Sequence, residues 1–134
     1  MADVSALLQW LDACPTPFHV VRRAAETLRS AGYVGVERID GDMPSKGYIV
    51  RDGSIAAWSR AEKGATFRVV GGHTDSPNLR VHPNPDIISA GWHQLGVEIY
   101  GGVLLNSWLD RDLGIAGRIV SSTGTVTEIG RAHV

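Results

Sequence analysis

The sequence predicts an α/β fold with a mixed sheet rather than a helical bundle, and three observations carry that expectation. Helical periodicity is confined to residues 4–32. Beyond them come short apolar or alternating runs cut by Gly and Pro, the pattern of strands and turns. One of these runs, Phe67-Arg68-Val69-Val70, leads into Gly71-Gly72-His73-Thr74-Asp75. In open α/β sheets ligands gather at the carboxyl ends of strands.

The elements follow in order. Val4, Leu7, Leu8 and Leu11 stand at i, i+3, i+4 and i+7, the apolar stripe of a helix. Asp3 or Ser5 is of a type that caps it, and Cys14-Pro15-Thr16-Pro17 ends it. Thr16 then serves as N-cap of a second helix with Pro17 at its first position. Phe18, Val21, Ala25 and Leu28 form its buried face, and Gly32 stops it. His19, in the first turn, reads as a packed and hydrogen-bonded residue.

From Gly35 the period changes. Asp40-Gly41-Asp42 is a turn, Gly47–Arg51 a strand, Asp52-Gly53 a tight hairpin turn and Ser54–Ser59 the return strand. Glu62-Lys63-Gly64 turns the chain into Phe67–Val70, read as a buried strand. Val81-His82-Pro83-Asn84-Pro85-Asp86, with two prolines, reads as an extended connector. Leu95, Val97 and Ile99 alternate with Gly96, Glu98 and Tyr100 as a half-buried strand that Gly101-Gly102 breaks. Gly117–Val120 and Thr125–Ile129 flank Ser122-Thr123-Gly124 as a final hairpin.

His73 and Asp75 carry the chemistry. A neutral imidazole is a common zinc ligand. A ligating histidine usually gives its second ring N–H to a carboxylate or carbonyl, and Asp75 is placed to serve His73 or a neighbouring ligand. In the other reading His73 sits at a turn and Asp75 bonds the Ser76–Asn78 backbone as an Asx turn. The triplet by itself leaves both open. An extended backbone would put the two side chains on one face.

Four blocks, taken together, bear on that choice. Gly72-His73-Thr74-Asp75-Ser76-Pro77-Asn78-Leu79-Arg80 resembles the histidine block of the aspartyl aminopeptidase family, the M18 metallopeptidases. Pro15-Thr16-Pro17-Phe18-His19 resembles its N-terminal Ser-Pro-Ser/Thr-Pro-Phe/Tyr-His segment, with Cys14 in place of the serine. Tyr100-Gly101-Gly102 and Trp108-Leu109-Asp110-Arg111-Asp112-Leu113 resemble its Tyr-Gly-Gly and Trp-Phe/Leu-Asp-Arg-Asp-Leu signatures. They stand in the family's order over about residues 5–120.

The resemblance implies a zinc aminopeptidase with two metal ions, removing N-terminal residues from peptides, acidic ones in the best-known members. It makes His73 a metal ligand and gives Asp75 the supporting catalytic role. It implies a zinc-exopeptidase-like catalytic domain begun by residues 1–81 and a β-rich oligomerisation domain, inserted into it, begun by 82–134. Homo-oligomers are expected of the full-length protein. The family's bridging aspartate, Glu-Glu pair, further aspartate and final histidine have no counterpart blocks in the 134 residues, so the chain reads as the N-terminal third of an enzyme, without turnover alone. The tail, Gly130–Val134, departs from the family pattern.

Composition sets bounds on function. Hydrophobic residues make up 43% and charged residues 20%, enough for a folded core. A net charge of −1 argues against nucleic acid or an anionic membrane as partner. A single cysteine, Cys14, permits no internal disulfide and fits a reducing compartment. The N-terminus lacks a basic and an apolar leader region, and no apolar run approaches a bilayer span, so a cytoplasmic location is expected.

His82 reads as a surface residue, His93 as structural, and Asp110 and Asp112 as parts of a loop held by Arg111 rather than as metal carboxylates. Phosphate-loop, serine-hydrolase and H-E-x-x-H motifs are absent. Two function classes remain: part of a zinc aminopeptidase, or a non-catalytic module that associates through open sheet edges.

Overall fold

A computed structural model describes residues 4–60 and 66–133. The architecture is α/β with a mixed sheet. Helix α1 spans Val4–Asp12 and α2 Pro17–Ser30. Strands β1 (Val34–Gly35), β2 (Lys46–Arg51) and β3 (Ser54–Ser59) form one sheet in that order, with β1 parallel and β3 antiparallel to β2. Strands β4 (Asn78–Ser89) and β5 (Trp92–Tyr100) make a separate antiparallel ribbon. A short 3-10 turn, Leu105–Ser107, follows. Strands β6 (Gly114–Val120) and β7 (Val126–His133) form the last hairpin.

The chain divides into two compact units: residues 1–74 with 114–134, and residues 75–113. In the first, α2 begins as its residue types dictate. Thr16 is extended, its hydroxyl accepts from the His19 amide at 3.4 Å, and Pro17 follows where a missing N–H costs nothing. Ala31 caps the far end, and Gly32 takes a φ of +81°. The helix lies on β1–β3. Its Val21 and Ala25, with Tyr48 and Ile49 of β2, are the buried apolar residues of the described chain. Tyr48 is held further by Arg29, whose Nη2 donates to its hydroxyl at 3.2 Å.

The last hairpin joins this unit through charge and an aromatic face. Arg118 stacks its guanidinium 3.7 Å from the Phe18 ring centre and pairs with Glu128 at 3.1 Å. Glu128 also pairs with Arg22 of α2. The β7 strand carries the tail residues Gly130–His133, for which the sequence offered no element.

In the second unit, β4 and β5 pair on either side of a bulge. Ser89↔Trp92 through Asp86↔Leu95 form one run and Val81↔Val97 through Asn78↔Tyr100 another. Residues 82–85 oppose Gly96 alone. The expected connector is therefore strand interrupted by a bulge, because prolines that cannot donate to a ladder are tolerated where the ladder is already broken.

The strand through Leu95, Val97 and Ile99 forms, but these side chains are exposed rather than half-buried, and the Phe67–Val70 strand does not form. Phe67–Val70 has no regular structure, and Phe67 and Val70 are each 98% exposed. The apolar run supplies strand propensity, but a strand exists only by pairing, and none of the described elements pairs with it. The turn assigned to Glu62-Lys63-Gly64 and the cap assigned to Asp3 lie outside the described residues.

Candidate functional site

His73, Thr74 and Asp75 lie in a coil segment just before β4. The chain passes from the first unit to the second at the Thr74–Asp75 peptide bond, and each side of that bond has its own anchor. On the first side, Thr74 donates its hydroxyl to the Gly53 carbonyl at 2.6 Å. Gly53 belongs to the β2–β3 turn, which also sits against Pro17 at the start of α2. The residue after His73 is thus tied to the β2–β3 turn, beside the start of α2. His73 itself is exposed.

On the second side, Asp75 is half-buried, and Tyr100 donates its phenolic hydrogen to Asp75 Oδ2 at 2.7 Å. Tyr100 ends β5 opposite Asn78, the first residue of β4. Arg80 lays its guanidinium 3.9 Å from the Tyr100 ring centre. Asn78 braces the coil by donating from Nδ2 to the Ser76 carbonyl at 2.7 Å. Gly101, beside Pro77, takes a φ of +73°, the left-handed conformation that favours glycine. The hydrogen bond to the Asp75 carboxylate, and then its negative charge, push the Tyr100 hydroxyl above its ordinary pKa of 10.0. The phenol therefore remains protonated at neutral pH and able to donate.

The sequence singles out His73 and Asp75 and gives Tyr100 no role. The reason is register. Counted back from the Ala90–Gly91 turn, an unbroken ladder would set Tyr100 opposite Val81. The bulge at 82–85 moves it to Asn78, beside the coil that carries Asp75. The prolines were the available signal, since they mark where a ladder breaks.

The other polar candidates lie on other elements of the chain. His82 and His93 are exposed on the β4–β5 ribbon, and Asp110 and Asp112 are exposed in the loop before β6. His19 is buried at 5% exposure with its Nδ1 2.7 Å from Thr16 Oγ1, the packed histidine its position implied. Among the described residues no group of three His, Cys, Asp or Glu side chains is placed to hold a metal ion. A protein zinc site uses three or four ligands. His73 has the donor chemistry and exposure of one, and Asp75 is of the type that steadies a ligand. Among the described residues, no helix is long and apolar enough to cross a membrane.

The sequence matches the family model described as aminopeptidase I zinc metalloprotease (M18) over residues 10–132. This chain belongs to the M18 family. It is 52% identical over 124 residues to a probable M18 family aminopeptidase 2 of Streptomyces avermitilis, covering 89% of this chain and 29% of that protein. Among solved structures it is similar to an M18-family aminopeptidase from Thermotoga maritima, with a TM-score of 0.74 and 29% identity over 94% of this chain and 29% of that one. It is also similar to a chain of the mApe1 dodecamer of S. cerevisiae, with a TM-score of 0.71 and 28% identity over 92% of this chain and 32% of that one. The chain spans 29% of the length of the Streptomyces relative. The α/β arrangement of this M18 chain is thus shared with the corresponding part of M18 aminopeptidases.

Proposed function

We propose that the chain supplies the N-terminal share of a zinc-dependent M18 aminopeptidase that removes N-terminal residues, acidic ones among them, from peptides. His73 is assigned as a metal ligand and Asp75 as the catalytic support beside it, in a complete site with two zinc ions. Residues 1–81 are assigned to the catalytic domain and 82–134 to the beginning of an inserted oligomerisation domain. A homo-oligomer acting on peptides in the cytoplasm completes the reading, and the dodecamer named for the yeast relative is in keeping with it.

The observation that carries this proposal is the bracing of the His73–Asp75 segment, by Thr74 on Gly53 and by Tyr100 on Asp75, in a chain of M18 sequence. A ligand loop must hold its geometry before the metal arrives, and hydrogen bonds from supporting groups are how proteins do so. When bound, zinc would supply Lewis-acid polarisation and an activated water. The chain's own part is to hold one donor nitrogen, at His73, and one carboxylate, at Asp75.

The test uses a full-length peptidase, the Streptomyces avermitilis relative with its matched segment replaced by that of this chain. His73→Ala is expected to lower peptidase activity by about 100-fold or more, since a ligand is a larger loss than the 10–100-fold typical of a supporting residue. Parental activity and zinc content in that variant would refute the metal assignment. A second reading, a non-catalytic module, draws on the lack of a three-ligand group among the described residues. Zinc content and turnover of the 134-residue chain itself separate the two.

A further inference from the structure

We infer that Tyr100 is a positioning residue for the M18 reaction, fixing the Asp75 carboxylate through its phenolic hydrogen. The inference rests on the role proposed above for Asp75 and extends it to a residue 25 positions away in sequence.

Asp75 sits in coil, where an aspartate turns about two side-chain torsions unless something holds it. The bond from Tyr100 Oη to Oδ2, at 2.7 Å, joins a hydroxyl to a carboxylate, a class stronger than neutral pairs. It restrains the carboxylate only if the phenol is itself fixed. Three features fix it. Tyr100 is the last rung of the β4–β5 ladder, so its backbone is paired. Its ring lies under the Arg80 guanidinium. The next residue, Gly101, lies against Pro77, so the end of β5 runs beside the coil that carries Asp75.

The bulge at 82–85 completes the device. Without it the ladder would pair Tyr100 with Val81, three residues farther along β4, and carry the hydroxyl away from Asp75. Bulges re-aim side chains near sites in this way. A hydrogen bond that merely fastened the coil would require none of this, because Asn78 already braces it through Ser76.

The chimeric peptidase described above provides the test. Tyr100→Phe keeps the ring and its stack on Arg80 and removes only the hydroxyl. It is expected to lower kcat and zinc affinity, measured by chelator competition, by about 10–100-fold with KM nearly unchanged. In an Asp75→Ala background the same substitution is expected to cost nothing more, because a residue acting through Asp75 has no route left. Parental kcat and zinc affinity, or a loss that persists in full in the Asp75→Ala background, would overturn the inference. Should Tyr100→Phe fail to fold, Arg80→Gln, which loosens the ring and keeps the hydroxyl, is expected to lower kcat in the same direction by a smaller factor. Parental kcat there would also overturn it. An inactive His73→Ala beside a parental Tyr100→Phe defeats this inference alone, whereas a fully active His73→Ala defeats the metal reading beneath it.

Discussion

Two imidazoles in this chain have opposite surroundings. His73 is exposed in coil, whereas His19 is 5% exposed on the inner face of α2. Thr16 Oγ1 accepts from the His19 amide, so its own hydrogen is available for Nδ1 at 2.7 Å. That arrangement suits a neutral ring. Burial, followed by the Arg22 charge, pushes the His19 pKa below its ordinary 6.5, with Glu128 acting in the other direction. Between the lowered folded value and 6.5 the unfolded chain binds the proton and the folded chain does not. Stability therefore rises with pH through that window, and is lost as pH falls through the folded value. Urea unfolding is expected to show a lower midpoint at about pH 5.5 than at about pH 7.5. His19→Gln should flatten that difference. An unchanged difference would assign the pH dependence to other groups. The sequence placed His19 correctly because a residue three positions after an N-cap threonine lies within reach of its hydroxyl.

At the scale of elements, α2 and the β2–β3 hairpin were legible because their signals are local. An N-cap, a proline, an Asp-Gly turn and alternating apolar residues each act within a few positions. The hairpin also depends on a contact that propensity does not report. Gly47 pairs with Trp58, and the indole crosses the strand so closely that a Cβ at 47 would stand 2.4 Å from Trp58 Cζ2. The same indole donates from Nε1 to the Pro44 carbonyl at 3.0 Å. Gly47→Ala must displace the ring and break that bond, and is expected to cost about 1–3 kcal/mol, as overpacking does. A denaturation midpoint equal to that of the parent would show the ring free to move. Phe67–Val70 and the 82–85 bulge were not legible in the same way. The first needs a neighbouring strand, and the second is defined by which residue faces which, and neither is a property of a single segment.

At the scale of the molecule, the buried apolar residues among those described all belong to α2 and β2. Elsewhere apolar side chains meet solvent. Leu7, Leu8 and Leu11 of α1 are each more than half exposed, as are Ile88 and Trp92 near the tip of the β4–β5 ribbon. An isolated two-stranded ribbon is marginal in water, and apolar patches of this kind are surfaces for association. The 134-residue chain alone is expected to bind a hydrophobic dye, to gain apparent mass with concentration, and to retain no stoichiometric zinc after dialysis. Sedimentation, dye fluorescence and metal analysis would check these outcomes. A zinc-loaded monomer with turnover would overturn them.

The sequence alone determined the helices, the β2–β3 and β6–β7 hairpins and the M18 family, and it nominated His73 and Asp75, on which the proposed chemistry turns. These follow from side-chain type at short spacing, where the physics is local. Tertiary structure decided that Thr74 reaches back to Gly53, that a proline-bearing bulge slips the β4–β5 register, and that Tyr100 consequently meets Asp75. Strand pairing and register arise from contacts between segments far apart in the chain, and one residue more or less between them changes which side chains meet.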